Sequence, residues 1–247
     1  MFAGSVIEWV EEFKYLGLII TNKLSFNKHI NKVSLNISRI TGIFTNLRSV
    51  VPLEVLFKIY YALAYPHLMN HIVIWGSAPI SHLRILTTRL NNMLRVILGI
   101  RWVDGRPVVS TDTMYKRNKV LKIGSIYKLS LFKLLRQLLD GTLPDMFSYL
   151  LEPHLSLQNY TTRNGIFRHP AITCEIERRF LPCQLITLYN SIAAEDLNQN
   201  ISGCIKKYKK YLVDNQWSYH ILVLRFIRFL ICLIFFTDTT LILLFCL

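Results

Sequence analysis

Acidic residues are scarce in this sequence: 15 Asp and Glu stand against 29 Lys and Arg over 247 residues, and no two aspartates are adjacent. A two-metal site needs carboxylates that converge, because the metals must both activate an attacking oxygen and neutralise a leaving one. The adjacent acids are Glu11-Glu12 and Glu195-Asp196, and neither lies in the aromatic strand–turn–strand setting that would aim two carboxylates at one ion. Both read as solvated surface acids, so neither catalytic nor metal-ligating residues are assigned. The five cysteines, Cys174, Cys183, Cys204, Cys232 and Cys246, are odd in number and contain no CxxC. That excludes a disulfide framework and a zinc knuckle, and an intracellular setting, nuclear or cytoplasmic, is expected. No GxxxxGK[ST], GxGxxG or GxSxG occurs, which removes the phosphate-binding glycine loops and the nucleophile elbow. His67 and His71 have zinc-compatible spacing, but no third ligand follows and Pro66 disturbs the helix. The first residues lack a charged-then-apolar signal pattern, since Glu8, Glu11 and Glu12 come early.

What is present is positive charge on a chain that can fold. The net charge is +14 and 52% of residues are hydrophobic, enough apolar material for a core. Such an excess favours a polyanionic partner, nucleic acid or an anionic membrane, over a basic surface that is merely solvated.

The pattern along the chain predicts a mainly α fold: a short β-hairpin, a helical bundle, and an irregular helical C-terminal region. Val10 to Ile20 reads as a strand, or as two strands around a turn near Gly17. From Ile30, the residues Val33, Ile37, Ile40, Phe44 and Leu47 recur at three and four, one buried stripe of a helix of four or five turns. A second helix starts near Pro52, buries Leu53, Leu56, Ile59, Tyr60 and Leu63, and is interrupted or kinked at Pro66. A third begins at Ser81 as N-cap and ends at Gly99. After a linker from Arg101 to Thr113, one long helix is expected from Tyr115 to Asp140, closed by Gly141. Beyond the irregular stretch Pro144 to Pro170, short helices lead to the basic run Lys206, Lys207, Lys209 and Lys210.

Two helical faces carry cations. Arg84 and Arg95 are eleven residues apart and project from nearly the same side, while Lys119, Lys122, Lys133 and Arg136 fall within roughly 100° of one another if the long helix is continuous. These six are the candidate phosphate contacts. Trp75, Tyr60 and Tyr61 read as core.

Three stretches resemble a known family. Phe13-Lys14-Tyr15-Leu16-Gly17, followed by Leu24-Ser25-Phe26 and His29-Ile30, is similar to the segment just downstream of the catalytic palm in reverse transcriptases of non-LTR, LINE-type retrotransposons. Tyr60-Tyr61-Ala62-Leu63, Tyr65-Pro66-His67-Leu68 and Ile74-Trp75-Gly76 resemble the helical thumb of jockey-like elements. Tyr160-Thr161-Thr162-Arg163-Asn164, Leu188-Tyr189-Asn190-Ser191 and Tyr208-Lys209-Lys210-Tyr211-Leu212 resemble the region that closes such reading frames. Two departures stand out: Asn70 replaces an aromatic, and Ala193-Ala194-Glu195-Asp196 replaces a leucine-proline.

The resemblance implies a parent activity of RNA-directed DNA synthesis with magnesium. It also implies that the metal-binding aspartates precede Tyr15-Leu16-Gly17, where only about a dozen residues stand here. A palm-less fragment is therefore expected, with no catalysis alone, no cofactor of its own and no small-molecule substrate. Its partner would be the backbone of an RNA or DNA template–primer. On this reading residues 1–27 are a strand remnant at the palm–thumb junction, 28–100 a thumb-like region and 101–143 the linker and long amphipathic helix. Residues 144–220 form the closing region, and 221–247 are a hydrophobic tail. That tail is either a membrane segment, with Arg225 and Arg228 flanking it and Asp238 opposing it, or read-through of non-homologous sequence. The alternatives to the polymerase fragment are a tail-anchored basic membrane protein and an inert relic.

Overall fold

The computed structural model describes residues 9–100, 102–103, 106–151, 175–192 and 201–215. The chain is mainly α with an N-terminal two-stranded hairpin. Strands β1 (Glu12–Tyr15) and β2 (Leu18–Thr21) pair antiparallel, Glu12 opposite Thr21 and Tyr15 opposite Leu18. The two residues between them, Leu16 and Gly17, have φ of 46° and 92°, the double positive φ that a tight hairpin of this hand requires. β1 is exposed throughout, and the hairpin is anchored through Leu18, which is buried.

Helix α1 (Asn27–Leu47) buries Ile30, Val33, Ile37, Ile40 and Phe44 of the expected stripe, with Leu47 partly buried at its end. Helices α2 (Leu53–Ile59) and α3 (Tyr65–Met69) are joined without a break by a π-helical turn, Tyr60–Ala64, in which the Tyr65 N–H donates to the Tyr60 carbonyl. The wider turn explains how Pro66 is accommodated: the proline lacks an N–H, and the chain has already left the α-helical bonding register before reaching it. It also rotates the buried face. Leu56, Tyr60, Ala64 and Leu68 point inward, whereas Leu63, expected inside, is exposed. Leu53, also expected inside, is exposed at the start of α2, ahead of the turn.

After a turn in which His71 has φ 53°, α4 (Ile72–Trp75) leads to α5 (Ile80–Leu98). Pro79, not Ser81, occupies the N-cap of α5, and no side chain caps it. The prolyl N–C bond fixes the approach and the missing N–H goes unused at a helix start. Gly99, φ 62°, ends α5: its N–H reaches the Val96 carbonyl at 3.1 Å and the Ile100 N–H reaches that of Arg95 at 3.0 Å. Two-residue strands β3 (Trp102–Val103) and β4 (Arg106–Pro107) follow.

The single long helix expected from Tyr115 to Asp140 is instead two, α6 (Thr111–Arg117) and α7 (Ile123–Leu139). α6 starts one turn earlier, because the Ser110 hydroxyl accepts the Thr113 N–H at 3.2 Å. It stops at Lys119, φ 52°, whose N–H donates to Lys116 at 3.2 Å while Val120 donates to Tyr115 at 3.1 Å. This is the same pair of hydrogen bonds that ends α5, made here by a lysine in the left-handed region instead of a glycine. α7 is buried on most sides: it packs on α3 and α4 and also on α9 (Leu181–Ser191) and α10 (Ile201–Asn215). A 3₁₀ segment (Asp145–Leu150) and a short α8 (Glu175–Arg178) complete the described elements. The stretch 221–247 lies outside the described residues, as do Glu195-Asp196 and Tyr160 to Asn164. Among the described residues no helix is long and apolar enough to cross a membrane.

Candidate nucleic-acid interface

His29 and Trp75 are buried where the hairpin, α1 and the α3–α4 corner meet, whereas Phe13, Tyr15 and Leu16 of the hairpin are exposed. His29 is buried; its Nδ1 accepts the Ile19 N–H at 3.4 Å and its ring lies 5.7 Å from that of Trp75. The fully buried Trp75 donates its Nε1–H to the Asn70 carbonyl at 2.7 Å, and the Asn70 amide closes on Gly17. Burial holds the His29 imidazole neutral, pushing it from the ordinary 6.5 down to about 4, with Lys32 and His71 acting in the same direction. Gly76 has an ordinary helical φ of −69°, so its glycine is needed for space: a Cβ there would come within 2.5 Å of the Ile72 carbonyl oxygen and 2.9 Å of Tyr127 Cγ. Tyr60 and Trp75 are core, and Tyr61, partly exposed, stands edge-on to Tyr60 at 5.1 Å. These residues lock the hairpin, α1, α4 and α7 together. None of this cluster forms a concave site with ligand-facing polar groups.

Charge lies elsewhere. α1 and α5, which form the most extensive helix pair, together contain Lys28, Lys32, Arg39, Arg84, Arg89 and Arg95 and no acid. The acid nearest to offsetting them is Glu12 on β1, bound to Lys28 at 2.6 Å on the exposed surface. On α5, Arg84 and Arg89 flank an outward stripe of Ser81, Ile85, Thr88 and Asn92 that forms a shallow concavity. Arginine guanidinium and small polar side chains are the donors that phosphate oxygens accept, and such contacts position a duplex without reading its bases.

The six sequence-selected cations are not brought together. Arg84 is exposed on the α5 face. Arg95, though close to it on the wheel, is half-buried and turned toward α6, donating to Thr111 Oγ1 and Asn92 Oδ1 at 3.1 Å each. The α6–α7 break removes the common face of the other four. Lys119 sits in the bend and is exposed. Lys122 is the N-cap of α7 and binds Asp112 at 3.0 Å. Lys133 is partly exposed on α7, and Arg136 is buried with its guanidinium on Asp140 at 2.7 Å. A buried guanidinium already held by a carboxylate is in no position to meet a phosphate. Arg89 is a further exposed cation outside those six, on the other flank of the α5 stripe from Arg84. Its signal in the sequence is the absence of any acid from the α5 segment.

Among the described residues no three His, Cys, Asp or Glu side chains are grouped so as to hold a metal ion. The donors among the described residues do not fit a magnesium pair. His67 is exposed on α3.

No protein-family model matches this sequence, and no solved structure does. The chain is similar to a curated protein described as RNA-directed DNA polymerase from mobile element jockey, of Drosophila funebris, with 33% identity over 124 residues. The match takes in 49% of this chain and 13% of the length of that protein. It supports a reverse-transcriptase-like region within the chain.

Proposed function

We propose that this chain carries the helical, thumb-like region that follows the catalytic palm of a retrotransposon RNA-directed DNA polymerase. On this reading it grips the sugar–phosphate backbone of a template–primer through the α1–α5 pair and does not polymerise by itself. The similarity to the jockey polymerase supports the family. The observation that carries the binding role is a helix pair with six basic residues and no acid, with Arg84 and Arg89 displayed on the outward face of α5. A polyanion gains from such a surface by releasing its condensed counterions, an interaction that is blind to sequence and steep in salt.

The test is binding of the full chain to a labelled RNA/DNA primer–template duplex over a salt series, alongside primer extension with magnesium and nucleotides. Affinity should fall log-linearly with salt, and the double change Arg84→Glu, Arg89→Glu should weaken all duplex sequences alike and reduce the slope by about 2. Salt-independent binding, or a double variant that binds like the parent, refutes the α5 interface. Any primer extension refutes the non-catalytic part.

A further inference from the structure

A cavity of about 650 Å³ opens between α7, α9 and α10, well inside the range of ligand sites. One wall is a stack of aromatic rings that runs from core to surface. Phe132, buried on α7, lies 4.3 Å from Tyr208 of α10 at an interplanar angle of 23°. Tyr208 in turn lies 6.0 Å from Tyr211 at 20°, and Tyr211 is 56% exposed. The stack thus ends in an accessible ring rather than in packed protein. Lys128 of α7 and Lys207 of α10 line the same cavity, and Lys206, Lys209 and Lys210 stand exposed on α10, whose one acid is Asp214.

We infer that this cavity is a stacking site for an unpaired nucleobase of single-stranded RNA or DNA. The inference rests on the nucleic-acid reading above but uses a different surface. A base continues the near-parallel series Phe132, Tyr208, Tyr211, and the α10 lysines attract the phosphates on either side of it. Rings together with cations are what single-strand grooves combine, whereas a phosphate-only contact would not need the rings. The site has little means of reading base identity, because three of its polar side chains already donate within the protein. The Thr187 and Ser191 hydroxyls donate to the Cys183 and Leu188 carbonyls, each at 2.7 Å, and the Gln184 amide donates to the Arg178 carbonyl at 2.6 Å. Stacking then supplies the affinity, and no fixed donor pattern selects one base.

The experiment compares three labelled probes on the full chain: oligo-dT of twelve nucleotides, the same strand with abasic sites, and a blunt duplex of equal length. Tyr211→Ala should weaken oligo-dT binding about tenfold and leave duplex binding unchanged, while Tyr211→Phe keeps both. The unmodified chain should bind the abasic strand about tenfold more weakly than oligo-dT, a comparison that needs no variant and so no assumption about folding. Equal binding of the abasic and normal strands overturns the stacking site, and is the result expected if an apolar protein segment occupies the cavity. Equal losses for strand and duplex in Tyr211→Ala overturn it too. Failure confined to these strand comparisons leaves duplex binding by α5 intact; a chain that binds neither strand nor duplex overturns both readings.

Discussion

Lowering the pH should destabilise this protein through His29. The imidazole is buried beneath the hairpin, accepts the Ile19 N–H on Nδ1, and faces Trp75, with Lys32 and His71 as the cationic or ionisable neighbours. Its folded pKa is depressed from 6.5 to about 4, so the unfolded chain takes up this proton first. The associated stability is fully present above pH 6.5, declines as pH falls, and is gone below about 4. A shift of that size corresponds to about 3 kcal/mol, a large part of the 5–15 kcal/mol that typical domains possess. His29→Phe keeps a ring against Trp75 but does not titrate, and it leaves the Ile19 N–H without its acceptor at a cost of about 1 kcal/mol. The two proteins should therefore cross: the variant slightly less stable at pH 7, and more stable at pH 4. Urea unfolding followed by far-ultraviolet circular dichroism at pH 7, 5.5 and 4 measures this directly, and carboxylates common to both proteins cancel in the difference. Parallel stability curves with no crossing would refute the argument.

Three further outcomes follow from particular contacts. Gly76→Ala should destabilise by about 1–3 kcal/mol in chemical denaturation, because the new methyl clashes with both the Ile72 carbonyl and the Tyr127 ring. Lys119→Gly should stabilise by about 0.5–1 kcal/mol in the same assay, since a side chain held at φ 52° carries a backbone cost that glycine escapes. Tyr60→Phe should be neutral or stabilising by up to about 1 kcal/mol, because the buried hydroxyl has no hydrogen-bond partner among the described residues and its removal ends a desolvation penalty; a loss above 1 kcal/mol in thermal or urea unfolding would show that the hydroxyl is satisfied.

Three helix ends in this chain use the same pair of hydrogen bonds, and they show where legibility ends. Gly99 closes α5 and Gly141 closes α7, both with positive φ, and both ends are visible in the sequence because glycine is the residue that tolerates that conformation. Lys119 closes α6 by the same device, and nothing in its side chain announces it. The consequence reaches the candidate site, since the face shared by Lys119, Lys122, Lys133 and Arg136 exists only on an unbroken helix. The π turn before Pro66 is a second case: periodicity alone places Leu63 inside, and one extra residue in the turn rotates it out.

Local rules therefore determined the element types, the hairpin turn, the α1 stripe and the surplus of positive charge, because each depends on residues within a few positions of one another. Which cations remain available to a partner was decided by tertiary structure. Arg95 and Arg136 are indistinguishable from Arg84 in sequence, yet Thr111 and Asp140 hold the first two while Arg84 and Arg89 face outward. The Phe132, Tyr208 and Tyr211 stack likewise joins residues some eighty positions apart, and it exists only because α10 packs back onto α7. A charge or a ring can be counted along a chain, but whether it is spent inside the protein depends on what the fold places opposite it.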